Sequence, residues 1–133
     1  MSKKLKLDKE TSGIRAAVLT KDIKYNLKLA AVSSGTTMSD MLRELVIAFN
    51  ARIEIENIND LIISYCGKDL YTSKDTESTT FRIENDVYKK FCHYSLCIGN
   101  DPSELLRKLV LERLNMPIAT FMPYHIDDIN EAV

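Results

Sequence analysis

The stretch GTTMSDMLRELV at residues 35–46 is written again as GNDPSELLRKLV at residues 99–110. Aligned without a gap, the two share Gly35/Gly99, Ser39/Ser103, Leu42/Leu106, Arg43/Arg107, Leu45/Leu109 and Val46/Val110. The offset is 99 − 35 = 64. Similarity continues upstream, because Ile23 precedes Gly35 by the same 12 residues that separate Val87 from Gly99. A unit used twice constrains the fold strongly: each copy has an apolar face, and the other copy is the nearest thing to bury it against.

The second copy is the clearer one. In STTFRI, Thr79, Phe81 and Ile83 alternate with Ser78, Thr80 and Arg82. That period of two predicts a short strand with one apolar and one polar face. Val87, Phe91, Tyr94 and Ile98 then recur at helical spacing, and Gly99 stops that helix. A second helix starts at once. Asp101 caps it, Pro102 suits its first position, and Glu104 follows three residues after the cap. Its apolar stripe is Leu105, Leu106, Leu109, Val110 and Leu114, and Asn115 and Pro117 end it.

The first copy follows the same plan. Ala16, Ala17, Val18 and Leu19 suggest a strand, and Thr20 caps a helix carrying Ile23, Leu27, Ala30 and Ala31. After Gly35, Thr37 and Asp40 form the matching cap pair ahead of Met41, Leu42, Leu45, Val46 and Phe49. The expected units are therefore 14–50 and 78–115. A linker over 51–77 holds a possible short helix, INDLIISYC, and then a polar loop from Gly67 to Glu77. The tail, 116–133, is acidic.

One strand–helix–helix unit cannot stand alone. Its strand leaves backbone groups unpaired, and two helices cannot enclose their own apolar faces. Two units solve both problems if the strands pair as an antiparallel ribbon over four helices. The predicted class is thus α+β, mostly helical, in one compact domain.

This pattern resembles the ribbon–helix–helix DNA-binding family, the Arc/MetJ group, over residues 14–50 and 78–115. It is similar to the tandem subgroup with two units in one chain, which includes TraY-type accessory proteins of plasmid conjugation. The resemblance implies a ribbon that enters the major groove of double-stranded DNA and reads base edges from its outer face. The implied readers are Ser78, Thr80 and Arg82 in the second strand. In the first they are Ile14, Ala16 and Val18, or Arg15 and Ala17 if the register differs by one residue. Arg82 suits guanine, Thr80 is versatile, and Val18 suits a thymine methyl. The starts of the second helices are the implied phosphate sites: Thr36, Thr37 and Ser39 in one unit, Asn100, Asp101 and Ser103 in the other. Lys3, Lys4 and Lys6 would add salt-sensitive contacts as an arm. A single ribbon reads a short site, so side-by-side self-association on DNA is expected.

Charge fits this reading in distribution rather than in total. The net charge is −1. Residues 51–78 carry six acids and three bases, and residues 115–133 carry three acids and no base. The remainder holds 18 − 3 = 15 bases and 19 − 9 = 10 acids, a net +5. Cys66, Cys92 and Cys97 contain no C-x-x-C, so free thiols and a cytoplasmic location are expected. Cys92, His93 and Cys97 fall short of a zinc set. With two histidines and four glycines, no catalytic, metal or phosphate-loop motif can be assembled, and no cofactor is implied. No apolar run approaches a membrane span, and the basic start, MSKKLKLDKE, has no apolar signal segment behind it. The expected role is a transcriptional regulator. The alternatives are a relaxosome or plasmid-maintenance accessory protein, and a protein-interaction module such as an antitoxin that binds a partner through its acidic tail.

Overall fold

A computed structural model describes residues 10–65 and 76–115. The chain runs β1 (Ser12–Thr20), α1 (Lys21–Ser33), α2 (Met38–Ile55), α3 (Ile58–Tyr65), β2 (Thr76–Glu84), α4 (Asn85–Cys97) and α5 (Pro102–Arg113). It is α+β and mostly helical, with one antiparallel two-stranded sheet among the described residues.

The 64-residue offset reappears in the element boundaries. β1 shifted by 64 is β2, α1 is α4, and the first residue of α2 is the first of α5. The strand register carries it too. Ala16 pairs with Thr80, and 80 − 16 = 64, so the midpoint of the sheet is a pair of equivalent residues.

Local chemistry sets the helix limits. The Thr20 hydroxyl accepts from the Ile23 amide at 3.2 Å, the Thr37 hydroxyl from Asp40 at 3.1 Å, and the Asp101 carboxylate from Glu104 at 2.9 Å. Each satisfies an amide that the helix cannot. Gly35 (φ +70°) and Gly99 (φ +78°) reverse the chain between helices in the left-handed region, which other residues adopt only at a cost.

The two repeats bury each other. α2 packs on β2 and α4 of the other repeat as well as on α5, and α5 packs on β1. The common core includes Leu19, Leu27, Leu42, Val46, Phe49, Phe81, Ile83, Phe91, Leu105 and Val110, all almost solvent-free. Phe49 meets Phe91 edge-on at 5.8 Å. The expected stripes on all four helices face this core, with Ala30, Leu45, Val87, Tyr94 and Leu114 at its margin.

The linker differs from expectation. α2 runs past residue 50 to Ile55, because Ile53 still packs on the core and Arg52 pairs with Glu56 one turn on. β2 begins at Thr76, ahead of the expected start at Ser78. Glu77 pairs with Leu19 in the ladder and bridges to Lys24 at 3.2 Å. The short helix α3 is a structural part rather than a spacer. Fully buried Tyr65 meets Phe49 edge-on at 5.9 Å, and its hydroxyl lies between Glu112 at 2.6 Å and Arg52 at 2.8 Å. Burial and then the Glu112 bond push that phenol up to about 12. The carbonyl of Tyr65, exposed by the end of α3, accepts from Asn100 at 2.6 Å and from buried Lys108 at 3.1 Å.

Candidate nucleic-acid interface

Alternation along the paired strands sorts their side chains onto two faces. Ala17, Leu19, Thr79, Phe81 and Ile83 point into the core. The opposite face carries Ile14, Ala16 and Val18 on β1 and Ser78, Thr80 and Arg82 on β2. Cross-strand pairing sets Ile14 beside Arg82, Ala16 beside Thr80 and Val18 beside Ser78. Five of these six are exposed and Arg82 is half-buried, so the structure gathers them into one open patch.

Arg82 anchors one end of the patch. Its Nη1 donates to the Ser12 hydroxyl at 3.2 Å, which turns the fork without neutralising it. Among the described residues no carboxylate lies within ion-pair distance of it. The nearest acid along its own face, Glu84, is held elsewhere.

The register question is resolved against Arg15 and Ala17. Ala17 is buried, and Arg15 lies on the inner side, its guanidinium 4.6 Å from the centre of the Tyr88 ring and 3.5 Å from the Asn85 amide oxygen. Arg15 is therefore corrected from base reader to a residue that fastens β1 to α4. The run Arg15-Ala16-Ala17-Val18 hid this, because two adjacent alanines give no phase to the alternation. Arg15→Ala is expected to leave the sequence preference of any bound duplex unchanged while lowering the melting temperature slightly. A selected consensus that changed at one base would overturn this placement.

The proposed phosphate sites fare unequally. At the start of α2, Thr37 is an exposed neutral cap, with Thr36 and Ser39 half-exposed beside it. The start of α5 is different. Asn100 is buried, donates to Tyr65 and accepts from the Asp101 amide at 2.9 Å, so its amide is not available to a phosphate. The Asp101 carboxylate already occupies the position an anion would take, where α2 has the neutral Thr37; both helices carry an acid in the first turn, Glu104 in α5 and Asp40 in α2. Like charge disfavours a phosphate there. Asn100 and Asp101 are corrected to structural caps, and Ser103 stays exposed. Lys3, Lys4 and Lys6, with the acidic tail, lie outside the described residues. Much of the basic excess lies with those lysines.

Arg43 and Arg107, identical at the 64-residue offset, lie between the leucines of the second helices, and each bonds to a partner outside those helices. Arg43 makes a two-pronged bond to Glu84 at the end of β2, at 2.9 and 2.7 Å. Arg107 donates to the Val18 carbonyl of β1 at 3.0 Å. Each reaches from the second helix of one repeat to the strand of the other, and together they set the ribbon on the helices. Their identity at the 64-residue offset was the available signal.

The Arg43–Glu84 pair has a pH signature. The bond to Arg43 holds the Glu84 carboxyl below the usual carboxylate range. A depressed carboxylate stabilises the fold above its unfolded value near 4.3, and that contribution is lost as pH falls through the folded value. The pair is partly solvated, with side chains 18% and 34% exposed, which discounts the effect to about 1 kcal/mol. Glu84→Gln should lower neutral-pH stability by that amount and flatten its decline below about pH 4. Chemical denaturation across pH checks both.

Among the described residues no three His, Cys, Asp or Glu side chains converge as metal ligands. Nor is any helix there long and apolar enough to cross a membrane. Comparison with protein-family models, curated proteins and solved structures finds no match to this chain.

Proposed function

We propose that the chain is a tandem ribbon–helix–helix protein that binds double-stranded DNA through the outer face of β1 and β2, does no chemistry and acts as a transcriptional regulator. One observation carries the reading. Ile14, Ala16, Val18, Ser78, Thr80 and Arg82 form an open, cross-paired patch whose only charge is an arginine without a carboxylate partner among the described residues. A two-stranded ribbon has the width of the major groove, and these side chains match its guanine acceptors and thymine methyls. Neutral Thr37 at the start of α2, with Thr36 and Ser39, supports a phosphate contact beside the ribbon. Copies lying side by side would supply the affinity that one short site lacks.

The same contacts serve an accessory protein of plasmid conjugation or maintenance, and the position of the bound site in the source genome separates these roles. A protein-interaction module is the reading from another class. It is favoured by Tyr25, Leu29 and Val32, an exposed apolar stripe along α1. The test is selection of duplexes from a random pool by the full chain at moderate salt, repeated with a chain ending at residue 115. Enrichment by both supports a DNA-binding ribbon. No enrichment by either removes the DNA reading and leaves the interaction module.

A further inference from the structure

We infer that the ribbon takes a non-palindromic duplex site, with thymine methyl groups against the β1 row and a guanine at the Arg82 end. This rests on the DNA-binding reading above and specifies its ligand.

The two rows of the patch are equivalent by position and opposite in chemistry. The 64-residue offset relates Ile14 to Ser78, Ala16 to Thr80 and Val18 to Arg82. The strand register places the centre of the relation at Ala16–Thr80. Rotation about that centre therefore exchanges an apolar side chain for a polar one at every position. A palindromic site presents identical edges to both halves. It would set Ile14 against a polar atom wherever it satisfied Ser78, or leave Arg82 unpaired wherever it suited Val18. Both outcomes are unfavourable once water is excluded.

The β1 row specifies its own partner. Ile14 is 62% and Val18 36% exposed, on the face opposite the core. The only apolar group on a major-groove base edge is the C5-methyl of thymine. Ile14 and Val18 are four residues apart, about 13 Å along a strand, which is the axial length of roughly four base pairs. They therefore meet different base pairs. Ile14 lies directly across from Arg82, and Ser12 holds Arg82 by Nη1. The Nε–Nη2 edge then remains for the two acceptors of guanine. The expected site has a guanine and a thymine close together at one end and a second thymine about four base pairs away, at the Val18–Ser78 end.

The test uses the full chain and the duplexes it selects. Each thymine is replaced in turn by uracil, which removes the methyl and keeps every hydrogen-bonding group. Two positions are expected to bind roughly fourfold more weakly with uracil, the value of one buried methyl group. At one of them, Ile14→Ser should abolish the thymine-over-uracil preference and leave the other unchanged. Ile14 is exposed, so the variant's thermal unfolding should match that of the parent. Uracil tolerated at every position, or a palindromic consensus, overturns this inference and leaves DNA binding standing. Failure to enrich any duplex overturns both.

Discussion

Phe91→Ala is expected to destabilise the protein by about 3–5 kcal/mol, enough to unfold much of it at 37 °C. Phe91 is solvent-free at the centre of the core, edge-on to Phe49 at 5.8 Å and 6.1 Å from the Tyr88 ring. Truncation removes its apolar area from the core and leaves a cavity. The rigid elements on either side, α2 and β2, cannot both move in to fill it without disturbing the ladder to β1. The two repeats share this core, so the loss should appear as one transition in urea. Leu96→Ala, in the same helix and 68% exposed, is the control and should change stability by less than about 0.5 kcal/mol. Two separate transitions for Phe91→Ala would show that the repeats fold independently.

Arg82→Ala is expected to weaken binding of the selected duplex by about 1–3 kcal/mol, roughly 5- to 150-fold, and to relax the preference at one guanine. Affinity for unselected DNA should change little, because a base-reading group adds discrimination more than general affinity. Thermal stability should fall only slightly, since the part-buried bond to the Ser12 hydroxyl is a single contact at one end of the ribbon. Thr80→Ala, at the midpoint of the ribbon, should give a smaller loss. Unchanged affinity and preference in both variants would remove the ribbon from the interface.

Legibility varied with the kind of signal. The caps at Thr20, Thr37 and Asp101, the glycine turns and the leucine stripes were readable, because each is decided within a few residues of chain. The outer face of β2 was readable because Ser78, Thr80 and Arg82 alternate cleanly with buried neighbours. The phase of β1 was not, since Ala16 and Ala17 suit either face and Arg15 reads as a surface residue until Tyr88 is seen beneath it. Asn100 looked like a helix-start donor. Its true partner, the Tyr65 carbonyl, lies 35 residues away on an element that reads as a spacer.

By itself, the sequence determined that two similar strand–helix–helix units exist, where their helices begin and which faces are apolar. Periodicity, capping and a repeated stretch are local records, and they survive without knowledge of what packs on what. Only the tertiary structure decided that the strands pair with Ala16 opposite Thr80, and that each arginine of the repeated LR pair reaches the other unit's strand. It alone turned Arg15 inward, closed the start of α5 and locked α3 onto Asn100 and Lys108. Those outcomes depend on which groups, distant in sequence, must share buried space and satisfy one another's hydrogen bonds, and no local pattern encodes that choice.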